Sequence, residues 1–223
     1  MTEFFWFLSV CGLYGLADIL YRRSGRKHFL HPVMLPTILL VSVLHFTSLE
    51  YAVFERATYV FDVLLMAAVA ALSVPLYRNF SAIRRNPVAI LSALVGGSVA
   101  GSGSAVVVAL WAKASPDVVT SLYVKSITTP MAVAVVEPLG GIPAISAVVV
   151  ILTGLIVALI GPSVLRMVGV DHQVAQGIAM GTAGHALGMA ESIRHSDLMG
   201  AAAAFAMATN GLLTALLLPL LLG

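Results

Sequence analysis

Long apolar runs, separated by short charged or glycine-rich stretches, follow one another along the whole chain. An α-helix that crosses a bilayer needs about 20 mostly apolar residues. Six runs meet that need and predict full membrane helices: 4–21, 33–49, 59–77, 88–111, 143–165 and 198–222. Two further segments, 119–137 and 174–191, are long enough to cross but contain polar residues together with a proline or several glycines. The pattern predicts an all-α, polytopic fold with about eight membrane segments, two of them interrupted.

The composition excludes most alternatives to a membrane protein. Charged residues make up 10% of the 223 residues, hydrophobic residues make up 60%, and the mean hydropathy is +1.01. A typical soluble domain is about 25% charged, so this chain cannot cover a soluble surface. We therefore expect a single integral membrane domain over 1–223, with N-terminal helices in 1–87 and the interrupted segments in 88–223. The basic residues form short clusters rather than a basic domain, which argues against nucleic-acid binding.

The distribution of Lys and Arg predicts the orientation. Two basic clusters follow the first and third predicted helices: Arg22, Arg23, Arg26 and Lys27, then Arg78, Arg84 and Arg85. Short loops rich in Lys and Arg stay in the cytoplasm, so we expect a multi-pass protein of the inner (plasma) membrane whose N-terminus lies outside. The pattern leaves open whether the interrupted segments cross the bilayer or re-enter it.

The second half of the chain contains an internal repeat. Residues 153–162 read TGLIVALIGP and residues 210–219 read NGLLTALLLP. Each follows an interrupted segment that ends in a glutamate, Glu137 or Glu191. Interrupted helices at corresponding positions of two repeats are the best sequence indication of a transporter's binding site.

The first interrupted segment has the chemistry of an anion site. Pro130 has no N–H and breaks the helix, and the hydroxyls of Ser126, Thr128 and Thr129 are available to bond the freed carbonyls. A half-helix that begins near Pro130 attracts anions at its N-terminus, and Lys125 adds a full positive charge. These residues predict a site for a small carboxylate. The alternative is a proline kink with Lys125 reaching to the membrane interface.

The second interrupted segment reads QGIAMGTAGHALGMAES over 176–192. Gly181 and Gly184, with two further glycines, recur at helical spacing and indicate either an accessible site or a close helix contact. Thr182 and His185 are the polar candidates, and His185 is expected to donate to the carboxylate or to carry a proton. Asn210, in the last helix, either lines the site or holds the broken segments together.

Several other kinds of chemistry have no motif in this chain. The chain has no nucleotide-binding motif, no Cys/His cluster and no nucleophile elbow, and Cys11 is the only cysteine. We therefore expect neither an enzyme with catalytic residues nor a protein with a metal or cofactor.

The chain resembles the LrgB/CidB family of membrane proteins. The blocks that carry the resemblance are VPLYRN at 74–79, KSITTPMA at 125–132, GGIP at 140–143, VILTG at 150–154, GTAGHALGMA at 181–190 and NGLLTALLLPLL at 210–221. The resemblance implies one of two functions. Bacterial members are described as antiholin-like proteins that influence murein hydrolase activity and autolysis with a small LrgA/CidA-type membrane partner. Plastidal relatives are glycolate/glycerate translocators.

Transport of a small 2-hydroxy- or 2-oxo-carboxylate such as glycolate, glycerate or pyruvate, coupled to protons, is the leading hypothesis from the sequence. The repeat, the interrupted segments and Lys125 favour it. The alternative is an antiholin- or holin-like regulator whose glycine faces, including the GSGS run at 101–104, are assembly surfaces. The expected partners are the bilayer, the small carboxylate, an LrgA/CidA-type protein and further copies of the chain. A channel is a third hypothesis.

Overall fold

The computed structural model describes residues 2–25, 30, 32–47, 51–71 and 73–222. Within these ranges every regular element is helical, which agrees with the predicted all-α class. Residues Met1–Ala71 form one compact unit and Leu72–Gly223 form a second. The division into 1–87 and 88–223 stays a prediction.

Three helices make up the first unit: α1 (Thr2–Arg23), α2 (Met34–Phe46) and α3 (Tyr51–Ala71). Aromatic side chains join α1 to α3, because Trp6 is buried and meets Phe54 edge-on with 5.3 Å between ring centroids. Phe7 stacks on Phe61 with 5.1 Å between centroids. The small residues Ala17 in α1 and Ala57 in α3 are also buried.

The predicted membrane segments at 33–49 and 59–77 compare differently with the helices observed in this part of the chain. The helix predicted at 33–49 is only the 13-residue α2, about 20 Å long, and is too short to cross a hydrocarbon core of about 30 Å. The helix predicted over 59–77 is helical at each of its described residues, because α3 covers Tyr51–Ala71 and α4 begins at Ser73, with residue 72 outside the described residues. α3 begins at Tyr51, earlier in the chain than predicted.

Seven helices make up the second unit: α4 (Ser73–Ile83), α5 (Pro87–Trp111), α6 (Pro116–Leu122), α7 (Thr129–Val136), α8 (Pro143–Met167), α9 (Gln173–His195) and α10 (Asp197–Leu222). A 3₁₀ turn, Glu137–Leu139, follows α7. Three of the helices begin with a proline, which loses nothing at the first helical position because its missing N–H has no partner there. The first half of α9 packs closely along the start of α10, where Gly177 meets Met199 and Gly181 meets Ala203, and Ser196 alone separates the two helices in the chain.

Four helices in the described residues are long and apolar enough to cross a membrane: Phe4–Arg23, Pro87–Trp111, Pro143–Met167 and Asp197–Leu222. They correspond to the predicted crossings at 4–21, 88–111, 143–165 and 198–222. The chain is therefore a membrane protein. The count of eight segments rests on the interrupted and shorter helices and stays a prediction.

Glycines bring the backbones of α9 and α10 into direct contact. A Cβ added at Gly181 would lie 2.1 Å from the carbonyl oxygen of Ala203, and one added at Gly177 would lie 2.3 Å from that of Met199. Real Cβ atoms do not approach a backbone oxygen so closely, so any side chain at these positions would force the two helices apart.

We predict that Gly181→Ala destabilises the protein by about 1–3 kcal/mol, the usual range for overpacking a tight core. Gly103→Ala is the matched control, because a Cβ added there meets nothing within 4 Å. Thermal unfolding in detergent micelles measures both variants. Equal melting temperatures for the two variants would contradict the close packing of α9 against α10.

Candidate functional site

The first interrupted segment is broken where the sequence predicts. α6 ends at Leu122, α7 begins at Thr129, and residues 123–128 form turns between them. Thr128 precedes α7 with extended backbone angles, φ −72° and ψ 148°. Pro130 is the second residue of α7, where its missing N–H costs nothing. The segment is therefore two short helices with backbone polar groups released between them.

Side chains from neighbouring helices bond the released carbonyls. The Ser102 hydroxyl of α5 donates to the carbonyl of Tyr123 at 2.7 Å. The Asn210 side-chain amide of α10 donates to the carbonyl of Ser126 at 2.9 Å. We had expected hydroxyls of the segment itself to do this, so that expectation is corrected: the partners come from elsewhere in the chain.

The second interrupted segment is broken at one residue. His185 has φ 41° and ψ −129° inside α9, a backbone conformation that a residue with a Cβ adopts only under strain. In an unbroken helix, the N–H of the residue four positions later would donate to the carbonyl of Thr182. That residue lies just beyond this break. The Asn210 side-chain amide donates to that carbonyl at 3.1 Å.

Asn210 therefore joins both breaks. Its side chain is 1% exposed, and its amide nitrogen donates to the carbonyls of Ser126 and Thr182. The Ser98 hydroxyl of α5 donates to the Asn210 amide oxygen. One side chain of α10 thus connects α5, the turn between α6 and α7, and the kink of α9. Of the two roles predicted for Asn210, the structure gives it that of holding the broken segments together.

Lys125 lies in the first break with its charge uncompensated. Its ammonium group donates to the Ser126 hydroxyl at 3.2 Å. In the described part of the chain no carboxylate lies within ion-pair distance of it. A Cβ added at Gly101 would lie 3.8 Å from the Lys125 nitrogen, so the bare backbone of α5 borders the charge. A half-buried ammonium group without a counterion favours a bound anion.

Thr182 and Lys125 lie beside neighbouring turns of α5. Its side chain is 4% exposed, and its hydroxyl has no hydrogen-bond partner within the described residues. Its methyl group lies 3.3 Å from where a Cβ at Gly97 would be. Gly97 and Gly101 are one turn apart, about 6 Å along the helix axis. The methyl group of Thr182 and the ammonium group of Lys125 therefore border the same face of α5.

His185 is held by α8. Its Nε2 lies 2.9 Å from the carbonyl oxygen of Val150, and a carbonyl only accepts, so Nε2 carries the proton. The ring rests where a side chain at Gly154 would be, because a Cβ there would lie 2.4 Å from Cε1. One ring nitrogen is thus committed to the protein.

Of the remaining predicted site residues, two lie beside the first break and two are packed against other helices. Thr128 and Thr129 are half-buried beside the first break. Gly181 and Gly184 are filled by protein: a Cβ at Gly184 would lie 2.5 Å from a methyl carbon of Val157 in α8. No space for a ligand is left beside these two glycines, so the helix-contact alternative describes them.

Two site residues escaped the sequence reasoning. Ser98 and Ser102 are one turn apart on α5, where the Ser102 hydroxyl donates to a carbonyl of the first break and the Ser98 hydroxyl donates to Asn210, which bonds both breaks. The sequence grouped Ser102 with the GSGS run as a packing surface. The signal that could have revealed them was a pair of serines four residues apart inside an apolar helix.

These features define an integral membrane protein, helical throughout its described residues, with two broken helices meeting inside one helical unit. A family model described as the LrgB-like family matches residues 11–223. The chain belongs to that family, as the resemblance predicted.

Named relatives cover nearly the whole chain. An "Antiholin-like protein LrgB" of Bacillus mycoides (strain KBAB4) is 31% identical, and the alignment covers 99% of this chain and 96% of the relative. One of the same name from Bacillus cereus (strain B4264) is 30% identical over the same shares. The "Uncharacterized protein YwbG" of Bacillus subtilis (strain 168) is 31% identical over 97% of this chain and 95% of its own length. No solved structure matches the chain.

We predict that Asn210→Ala destabilises the protein by about 1–3 kcal/mol per carbonyl left unbonded, because it removes the donor to both breaks. Ser92→Ala is the control, since the Ser92 hydroxyl bonds only within its own helix, to Ala89. Thermal unfolding in detergent, with protease sensitivity of 123–128 as a local readout, measures the effect. An Asn210→Ala protein as stable as the control would show that Asn210 does not hold the breaks together.

Proposed function

We propose that this chain is an antiholin-like protein of the inner membrane that works with an LrgA/CidA-type partner. The observation that carries the proposal is the name shared by relatives about 30% identical over nearly the full length. Those names favour the regulatory hypothesis over the transport hypothesis that the sequence placed first.

The face of α5 that carries Gly96 and Gly103 supplies a surface for such a role. A Cβ added at Gly103 meets nothing within 4 Å, and the same is true of Gly96. The two glycines are seven residues apart and share a face of the helix. Small residues on one face of a membrane helix allow a second helix to approach closely.

We predict that Gly103→Leu abolishes regulation of autolysis while Lys125→Met preserves it. A Cβ at 103 meets no atom within 4 Å, and Gly103 lines a groove beside α10, so a leucine there would fill space that an approaching helix needs. Gly101 is a poorer probe, because a side chain there would contact Ser126 and Lys125. The measurement is the rate of detergent-induced autolysis, with murein hydrolase activity, in a bacterium lacking its own LrgB-type proteins, with and without the partner. Regulation that survives Gly103→Leu but is lost with Lys125→Met would contradict an assembly role.

Transport of small carboxylates is the second candidate, and the uncompensated charge of Lys125 favours it. A two- or three-carbon 2-hydroxy or 2-oxo acid would place its carboxylate at the Lys125 ammonium group and α7 N-terminus, with Thr128 and Thr129 beside it. With Nε2 protonated toward Val150, the other ring nitrogen of His185 is the position able to take a proton, and proton coupling belongs to this proposal. No enzymatic step, metal or cofactor is part of it.

The internal repeat supports this second candidate through reciprocal packing. The glycines of the two repeated blocks, Gly154 and Gly211, each receive a side chain from the broken segment of the other copy. Gly154 receives His185 of α9, and a Cβ at Gly211 would lie 2.9 Å from the methyl carbon of Met131 in α7. Two repeats that each hold the other's broken helix are suited to rocking about a shared site.

We predict that Lys125→Met lowers the uptake of labelled glycolate, glycerate or pyruvate into proteoliposomes at least tenfold, because the full positive charge beside the first break is lost. Lys113→Met is the matched control: Lys113 is exposed just after α5. Uptake no greater than that of empty liposomes, with the partner present or absent, would reject transport. Full uptake by Lys125→Met would reject only the role of Lys125 and would leave the transport proposal standing.

A further inference from the structure

A cavity of about 580 Å³ runs along the N-terminal halves of α5 and α9, inside the second unit. Arg85, Asn86 and His172 line one end of it, and Gly97 and Thr182 line the other. Gly97 lies ten residues into α5, about 15 Å from the start of the helix. The cavity therefore extends from the helix ends well into the depth of the membrane.

The outer end of the cavity is positively polarised. Asn86 precedes α5 and His172 precedes α9, and neither side chain caps its helix. Two uncapped helix N-termini thus lie at one opening, each with a partial positive charge. Arg85 is exposed there and adds a full charge. Asp171 is next to His172 in the chain but is not among the residues that line the cavity.

The inner end of the cavity lies one turn of α5 away from the position beside Lys125. The lining positions on α5 include Asn86, Ala93 and Gly97, and the next turn of the same face brings Gly101 beside the Lys125 ammonium group. Thr182, at the end of the cavity, has a buried hydroxyl without a partner. The glycines leave bare backbone between the cavity and the charge.

We propose that this cavity is the route by which a small carboxylate reaches Lys125 from the side of Arg85. The inference rests on the transport function proposed above and adds its direction of access. Arg85 and the two helix N-termini concentrate the anion at the opening, and the acid then passes the bare backbone at Gly97 and Gly101 to reach Lys125. Because one water takes up about 30 Å³ in the liquid, the cavity has room for a hydrated two- or three-carbon acid.

The test is thiol labelling in a Cys11→Ser background, which removes the only cysteine of the chain. Ala93→Cys places a thiol in the cavity lining, and Ala100→Cys places one on an exposed part of α5 outside it. An anionic, membrane-impermeant methanethiosulfonate is added to inside-out or right-side-out vesicles. We expect Ala93→Cys to react at least tenfold faster from the cytoplasmic side, and glycolate or pyruvate to slow that reaction. Ala100→Cys stays unreactive.

A second variant tests the link between the cavity and Lys125. Gly97→Leu fills the passage beside Thr182, whereas Gly96→Leu points into open space. We expect Gly97→Leu to lower uptake at least tenfold and to leave labelling of Ala93→Cys unchanged. Gly96→Leu retains uptake.

The outcomes separate this inference from the proposed function. Uptake without labelling of Ala93→Cys, or with equal labelling from both sides, overturns the route and leaves transport standing. Full uptake by a folded Gly97→Leu protein also overturns the route. Labelling that the acids slow, with no uptake in any preparation, retains the cavity as an anion entrance and rejects transport.

Discussion

The hydrogen bonds of Asn210 are the constraint on which the second unit depends. A broken helix inside a membrane releases carbonyls that no water is present to bond, and here two breaks occur at once. A single buried amide donates to one released carbonyl of each break and is itself held by Ser98. The two breaks are therefore fixed relative to each other. Neither can shift without breaking a hydrogen bond to the same side chain.

Ser126 links this structural bonding to the chemistry of the site. Its carbonyl accepts from Asn210, while its hydroxyl accepts from Lys125. The position of the positive charge is thus set by the same residue that anchors the break. An anion that drew Lys125 away would act directly on the turn between α6 and α7. Binding at the charge and movement of the broken segments would then be parts of one event.

The two proposed functions use different surfaces of α5. The face with Gly97 and Gly101 meets Thr182, Ser126 and Lys125, which is where a small acid would be bound. A Cβ at Gly103 would meet nothing within 4 Å, and the groove that Gly103 lines beside α10 is where another helix would pack. A regulator depends on the second face and a carrier on the first. The family membership favours the regulator, and the unpaired charge gives the carrier its physical basis.

The sequence alone determined the helical class, four of the crossing helices and the location of the break before Pro130. These follow from local properties: a run of apolar residues, or a proline without an N–H. It also raised both roles of Asn210 and of the glycines. Only the tertiary structure decided between them and supplied the partners Ser98, Ser102 and Val150. Local sequence decides where a backbone hydrogen bond is lost, but the group that replaces it comes from residues distant in the chain, brought close only by packing.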